Sequence, residues 1–215
     1  MGRSLRRCPI ALRLSLATVV VASSPTLAAD PNPRSWAGAF AGATLGMSKT
    51  YDYSAGDGTV LSTDDNTDFS YVAFGGYQFL KYFGLAGAYV DLGTASYAGN
   101  VPLEGDFTDK LSSKGINIMP MGFLPVAPQH AVFGYVGLFR WSQDVDFNAS
   151  ITGPFKTTDR GTSPSMGLGY NWYAIDQNLG IHIEYSRFFD VGDNDNSGHE
   201  YDRDFFSAGV VWSFR

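Results

Sequence analysis

Phe206-Ser207-Ala208-Gly209-Val210-Val211-Trp212-Ser213-Phe214-Arg215 closes a chain of 215 residues. Phe206, Ala208, Val210, Trp212 and Phe214 fall on one face of an extended segment, and Ser207, Gly209, Val211 and Ser213 on the other. Period two of this kind makes a strand with one apolar side and one small or polar side. Water-soluble sandwiches and membrane barrels both contain such strands, so the rest of the chain has to decide between them.

The N-terminus supplies an address. Arg3, Arg6 and Arg7 precede a mostly apolar stretch from Ile10 to Ala22, followed by Ser23-Ser24-Pro25-Thr26-Leu27-Ala28-Ala29-Asp30. This order reads as a cleavable export signal over residues 1–29, with cleavage expected after Ala28 or Ala29. Arg13 interrupts the apolar stretch, which is too short for a spanning helix of about 20 residues. Residues 30–215 are then expected to form one domain.

The single cysteine, Cys8, lies inside that signal, so neither disulfide nor thiol chemistry is expected of the exported region. Loss of Arg3, Arg6, Arg7 and Arg13 leaves 11 basic against 21 acidic residues, a net charge of −10. An exported chain so acidic is a poor nucleic-acid binder, and no nucleic-acid partner is expected. The exported region has no apolar run long enough for a helical span, yet aromatics make up 15% of the chain and glycine stands at 25. Helical insertion into a membrane is thereby excluded and barrel insertion is not.

Eight alternating segments can be placed: Ala37 to Ser48, Phe69 to Phe79, Phe83 to Leu92, Gly115 to Leu124, Ala131 to Trp141, Ser163 to Tyr173, Gly180 to Phe188 and Phe205 to Phe214. Short connections (Leu80 to Tyr82, Pro125 to His130, Ala174 to Leu179) alternate with long ones (Lys49 to Asp68, Gly93 to Lys114, Ser142 to Thr162, Phe189 to Asp204). Short periplasmic turns and long external loops on an even number of strands predict an all-β fold, an eight-stranded antiparallel up-and-down transmembrane barrel. One face collects Leu45, Met47, Phe69, Leu85, Ile116, Ile118, Leu138, Leu168 and Ile183 with no charge at mid-strand. A charge facing lipid there would cost about 2–4 kcal/mol. Asp91, Arg140 and Arg187 share that parity but sit near strand ends, toward the long connections. Tyr77, Phe79, Trp172, Trp212 and Phe214 form one interfacial girdle, and Trp141 and Tyr97 are candidates for the other. Pro120 falls mid-strand without a ladder donor, so a bulge or local break is expected there.

Phe74-Gly75-Gly76-Tyr77-Gln78-Phe79, Tyr89-Val90-Asp91-Leu92-Gly93, Ser163-Pro164, Glu184-Tyr185 and the final strand together resemble the OmpA-type transmembrane domain, in the same order over nearly the whole exported chain. The resemblance implies an integral outer-membrane barrel, porin-like in shape, monomeric and without a cofactor. It is set among outer-membrane lipids and lipopolysaccharide and free to meet a surface ligand or host receptor. It also implies that Phe214, with Trp212, is the terminal aromatic signal read by the outer-membrane assembly machinery. The peptidoglycan-binding domain of longer OmpA proteins is not matched, so cell-wall tethering is not carried over. Members of the family hold an ionised cluster inside the barrel. The matching positions here are Ala86, Met121, Asn171 and His182, so that cluster is expected to be largely missing.

Inward positions predict a lumenal polar cluster of Gln78, Asn171, His182 and Glu184 and a plug of Phe74, Met121, Phe123 and Tyr135, beside Met119, Phe133 and Phe139. An eight-stranded barrel is only wide enough for its own side chains, so a plugged, mostly non-conducting lumen follows. His182, Glu184 and Ser186 share a face and hold the parts of a base-activated nucleophile. Same-face neighbours on a strand are about 7 Å apart, which predicts no direct bond between them and a satisfied pair with Asn171, Gln78 or Tyr135 instead. A lipid-modifying enzyme would need Ser where Glu184 stands, and no enzymatic activity is expected. Asp190, Asp193, Asp195, Glu200, Asp202 and Asp204 crowd the last long connection, and Asp52, Asp57, Asp64, Asp65 and Asp68 the first. Asp193 to Gly198 has a passing likeness to a calcium loop without its closing glutamate, so a solvated loop and no metal are expected. The function expected is envelope integrity and surface interaction through acidic external loops, with a narrow ion or solute channel as the alternative and a lipid-modifying enzyme behind it.

Overall fold

A computed structural model describes residues 36–51, 60–65, 67–101, 105–149, 153–175, 178–193 and 199–214. The export signal expected over residues 1–29 therefore lies outside the described residues, as do Asp52, Asp57 and the stretch from Asn194 to Gly198. The strands are β1 (Gly38–Thr50), β2 (Val60–Asp65), β3 (Thr67–Leu80), β4 (Phe83–Val101), β5 (Gly105–Ala127), β6 (His130–Ala149), β7 (Gly153–Ile175), β8 (Leu179–Asp193) and β9 (His199–Phe214).

Every pairing is antiparallel, and eight strands close in the order β1-β3-β4-β5-β6-β7-β8-β9. The seam is β9 against β1, from Ala39 opposite Phe214 to Thr50 opposite Arg203. Alternation in the final strand thus completes a ring and not the edge of a sandwich. β2 pairs only with β4, at Ser96 to Asn100, above the stretch Phe83 to Asp91 that pairs with β3. It is the upper part of the same wall position, so the ring has eight strands although nine are numbered.

Side chains sort by parity. Leu138 and Leu168 stand 62% exposed and Ile118 56%, on a face that runs around the ring as Leu45, Phe69, Leu85, Ile183, Phe206 and Val210. Exposed apolar surface of this extent belongs against lipid, and the residues expected to face outward do so. Among the described residues no helix is long and apolar enough to cross a membrane.

Two expectations fail in informative ways, and the bulge or local break expected at Pro120 takes the second form. The segments expected to be long loops are largely strand: β5 and β7 run 23 residues each and β6 runs 20. A membrane-crossing strand needs about 9–11 residues, so the wall continues well past the bilayer as sheet. Sequence contrast disappears there because the outer face turns to Thr, Lys and Asp once lipid is left behind, and polar–polar alternation looks like loop.

Pro120 causes no bulge. It pairs opposite Leu85, and β5–β6 keeps the same register from Ile118 opposite Leu138 to Met121 opposite Tyr135, with two rungs missing between. A missing amide breaks the ladder locally and leaves the register alone.

Trp141 and Tyr97 do not form the second girdle. Both point into the barrel, 4% and 1% exposed. Trp141 has the inward parity of Phe133 and Phe139 on its own strand. Tyr97 would face outward by simple counting from Tyr89, but the β4–β5 register shifts between Asp91 and Thr94, where Gly93 adopts φ +70°. That bulge exchanges the two faces of β4 above it.

Candidate functional site

The lumen is filled from the wall inward, and the filling follows a rule of cross-strand pairs. Large inward rings lie over a glycine directly opposite on the neighbouring strand: Phe40 over Gly76 and Phe74 over Gly42, and Phe133 over Gly169, Tyr135 over Gly167 and Trp141 over Gly161. A methyl group placed on Gly169 would stand 2.2 Å from the Phe133 ring, on Gly161 2.3 Å from Trp141, and on Gly42 and Gly167 2.4 Å from Phe74 and Tyr135. These glycines provide the floor on which the rings lie flat, a pairing that also shields glycine backbone in sheets.

Phe74, Met121 and Phe123 line a cavity of about 20 Å³ near the short-turn end, together with Phe40, Ala86 and Met119. That volume holds about one water molecule. Phe40 meets Phe123 edge to face at 6.0 Å between centroids, and Phe123 meets Phe133 at 6.4 Å. His182 stacks between Phe74 and Phe133, each 4.8 Å away.

Most of the expected polar cluster converges on that histidine. Its Nδ1 is 2.8 Å from Asn171 Oδ1 and its Nε2 3.0 Å from Glu184 Oε2. The Tyr135 hydroxyl lies 2.9 Å from both Glu184 Oε1 and Ser186 Oγ, and Ser186 donates to Glu184. Direct bonding within His182, Glu184 and Ser186 contradicts the expectation that neighbours on one face are too far apart. The backbone spacing holds, but these side chains lean along the strand and close the gap. The carboxylate sits between imidazole and hydroxyl, so Ser186 faces no base nitrogen and the arrangement makes no nucleophile. Gln78 borders the same cavity, yet its Nε2 donates to the Lys81 carbonyl at 2.8 Å and ties the first short turn.

Above this level lies a second polar layer. Arg203, Asp109 and Gln143 are fully buried and Asp159 nearly so. Arg203 donates to the carbonyls of Leu92 and Leu111 at 3.2 and 3.1 Å, its guanidinium 5.7 Å from the Tyr201 ring. Gln143 donates to the Tyr201 hydroxyl. Burial pushes the Tyr201 phenol above its usual pKa, keeping it a neutral partner for that amide. Around them pack Ala95, Tyr97, Leu111 and Val145. The family's charge cluster is expected to be largely missing at Ala86, Met121, Asn171 and His182; this second set of ionisable groups lies one layer above those positions. Arg203 continues the inward parity of Phe205 and Ser207, a signal hidden by placing it in a loop. Among the described residues no group of His, Cys, Asp or Glu is arranged to hold a metal.

Trp212 and Phe214, opposite Ala41 and Ala39 across the seam, stand 42% and 55% exposed on the outer face at the short-turn end. A closed ring of eight antiparallel strands, apolar outside and plugged inside, now has a match among known families. The OmpA-like transmembrane domain model covers residues 36–215. The chain belongs to that family. This OmpA-like barrel is similar in fold to Neisserial surface protein A, at 16% identity over 82% of this chain and 97% of that one, with a TM-score of 0.52. It is likewise similar to OprG from Pseudomonas aeruginosa, at 12% identity over 83% and 97% of the two chains, with a TM-score of 0.54. No curated protein matches it. The OmpA-like barrel is a non-enzymatic, integral protein of the bacterial outer membrane.

Proposed function

We propose that this OmpA-like barrel is a monomeric, plugged envelope protein that supports outer-membrane integrity and uses its raised wall to meet surface partners. The carrying observation is the filling of the lumen in layers: rings on glycines and the His182 cluster border a cavity of about 20 Å³ at the short-turn end, and buried Arg203, Gln143 and Tyr201 lie above it. A path for hydrated ions needs a continuous water column, which an interior packed with side chains does not provide. The acidic external loops of the sequence reading become acidic outer strands carrying Asp91, Asp144, Asp146, Asp202 and Asp204. Rigid sheet presents such groups at fixed spacing, which suits a surface ligand or host receptor. Phe214 and Trp212, on the outward face of the seam strand at its short-turn end, are the signal for the assembly machinery.

The test is the pair of conductance and envelope phenotype. The purified barrel in a planar bilayer is expected to show no large, steady channel. Deletion in the native organism is expected to raise detergent sensitivity or lower adhesion. Steady conductance unaffected by replacing Phe74 or Phe123 favours the channel reading; unchanged detergent sensitivity and adhesion would remove the envelope role.

A further inference from the structure

The outer faces of β5, β6 and β7 bring cations together just above the lipid-facing band. The register sets Lys114, Ser142 and Arg160 side by side on three adjacent strands, and Ile116, Arg140 and Thr162 on the next outward rung below. Below that rung come Ile118, Leu138 and Pro164, where Ile118 and Leu138 are 56% and 62% exposed. Directly opposite residues have Cβ atoms about 5 Å apart and diagonal ones about 7–8 Å. Lys114, Arg140 and Arg160 thus form a triangle around the Ser142 hydroxyl, all three pointing outward where lipid gives way to headgroups. Lys110 and Lys156 lie higher on the same face, so five of the 11 basic residues of an acidic exported chain gather on three strands.

Two other outward cations, Arg187 and Lys156, are already engaged. Arg187 is bridged to Asp202 and Asp204 at 2.6 and 3.6 Å, and Lys156 to Asp146 at 2.9 Å. Lys114, Arg140 and Arg160 have no carboxylate within 4.0 Å among the described residues. Two acids on neighbouring positions bond elsewhere through one oxygen each: Asp91, opposite Lys114, accepts the Gly93 amide at 3.0 Å, and Asp144 accepts the Thr158 hydroxyl at 2.8 Å.

We propose that Lys114, Arg140 and Arg160, with Ser142 between them, bind a phosphate of an outer-leaflet glycolipid headgroup. A phosphate offers several charged oxygens to donors arriving from different directions, and two arginine forks with a lysine match that demand. The position one rung above the apolar band selects a membrane-anchored phosphate, because its acyl chains lie against Ile118 and Leu138. The site names the lipid partner of the envelope role and rests on the placement of the barrel in the outer membrane, not on the plugged lumen.

The test uses the exported chain refolded in maltoside micelles and titrated with fluorescent lipid A, with lipid A stripped of its phosphates, and with inorganic phosphate. Wild type is expected to bind lipid A, to lose about tenfold or more in affinity for the stripped form, and to keep its lipid A in millimolar phosphate. The K114Q/R140Q/R160Q variant is expected to match the stripped-lipid loss, while K110Q/K156Q stays within about twofold of wild type. Heat-modifiable migration on gels reports folding. If the triple variant does not fold, Ser142→Asp, which places an anion at the centre of the triangle, is expected to show the same loss. Equal binding of stripped lipid, an unaffected triple or Ser142→Asp variant, or full displacement by inorganic phosphate would each overturn the proposal. None of these outcomes depends on conductance or the deletion phenotype, so the site and the plugged-lumen reading fail separately.

Discussion

Gly167 carries no side chain because Tyr135 occupies the space one would need, 2.4 Å from where a methyl would begin. Gly167→Val must lift the Tyr135 ring and pull its hydroxyl from Glu184 and Ser186. Overpacking of this kind costs about 1–3 kcal/mol, so a fall of that size is expected in urea unfolding of the barrel in vesicles. Tyr135→Phe keeps the ring on its glycine and removes only the hydroxyl. Its cost is expected to be smaller, about 1 kcal/mol, since Glu184 retains His182 and Ser186. If Tyr135→Phe cost as much as Gly167→Val, the polar bonds and not the ring-on-glycine fit would control this level. At the seam, Phe214→Ala leaves the lumen untouched and is expected to lower the yield of heat-modifiable barrel in cells while refolding normally from urea. Equal cellular yield would show that Phe214 is not the assembly signal. The polar cluster was partly legible at this scale: parity put Asn171, His182, Glu184 and Tyr135 inward, but parity says nothing of how side chains lean, and their mutual bonds were missed.

Among the elements, β4 decides what the upper lumen contains. Gly93, at φ +70°, lets the strand insert an extra residue, and Asp68 Oδ2 accepts the Thr94 amide beside it. Gly93→Ala brings a methyl 2.6 Å from the Phe69 carbonyl in a conformation that disfavours side chains. A loss of about 1–2 kcal/mol is expected, with increased quencher access to an otherwise buried Tyr97 as the structural readout. Unchanged stability and access would mean that the bulge does not hold the face switch. Within the lipid band, strand limits were readable because Leu, Ile and Phe alternate with small or polar residues. Above it, Thr108-Asp109-Lys110-Leu111-Ser112-Ser113-Lys114 alternates only between two largely polar faces. Both the extra strand length and Arg203 vanished from view for that reason.

For the whole molecule, the plugged lumen predicts that conductance stays absent when one lumenal ring is trimmed, because several independent layers block the axis. Phe123→Ala opens the lower layer, while Arg203, Gln143 and Tyr201 still fill the upper one. A steady current from this single variant would show that one layer carries the whole barrier. The wall is also uneven in height. β7 stays paired with β6 from Gly153 to Trp172, whereas its pairing with β8 begins only at Ser165. Among the described residues, its edge from Gly153 to Pro164 has no strand beside it. In deuterium exchange, amides of β7 below this point should be sealed on both sides, while alternate amides above it should exchange at rates set by open water. One strand would then carry two exchange regimes, with their boundary at Ser165 marking from inside the molecule where the closed ring ends.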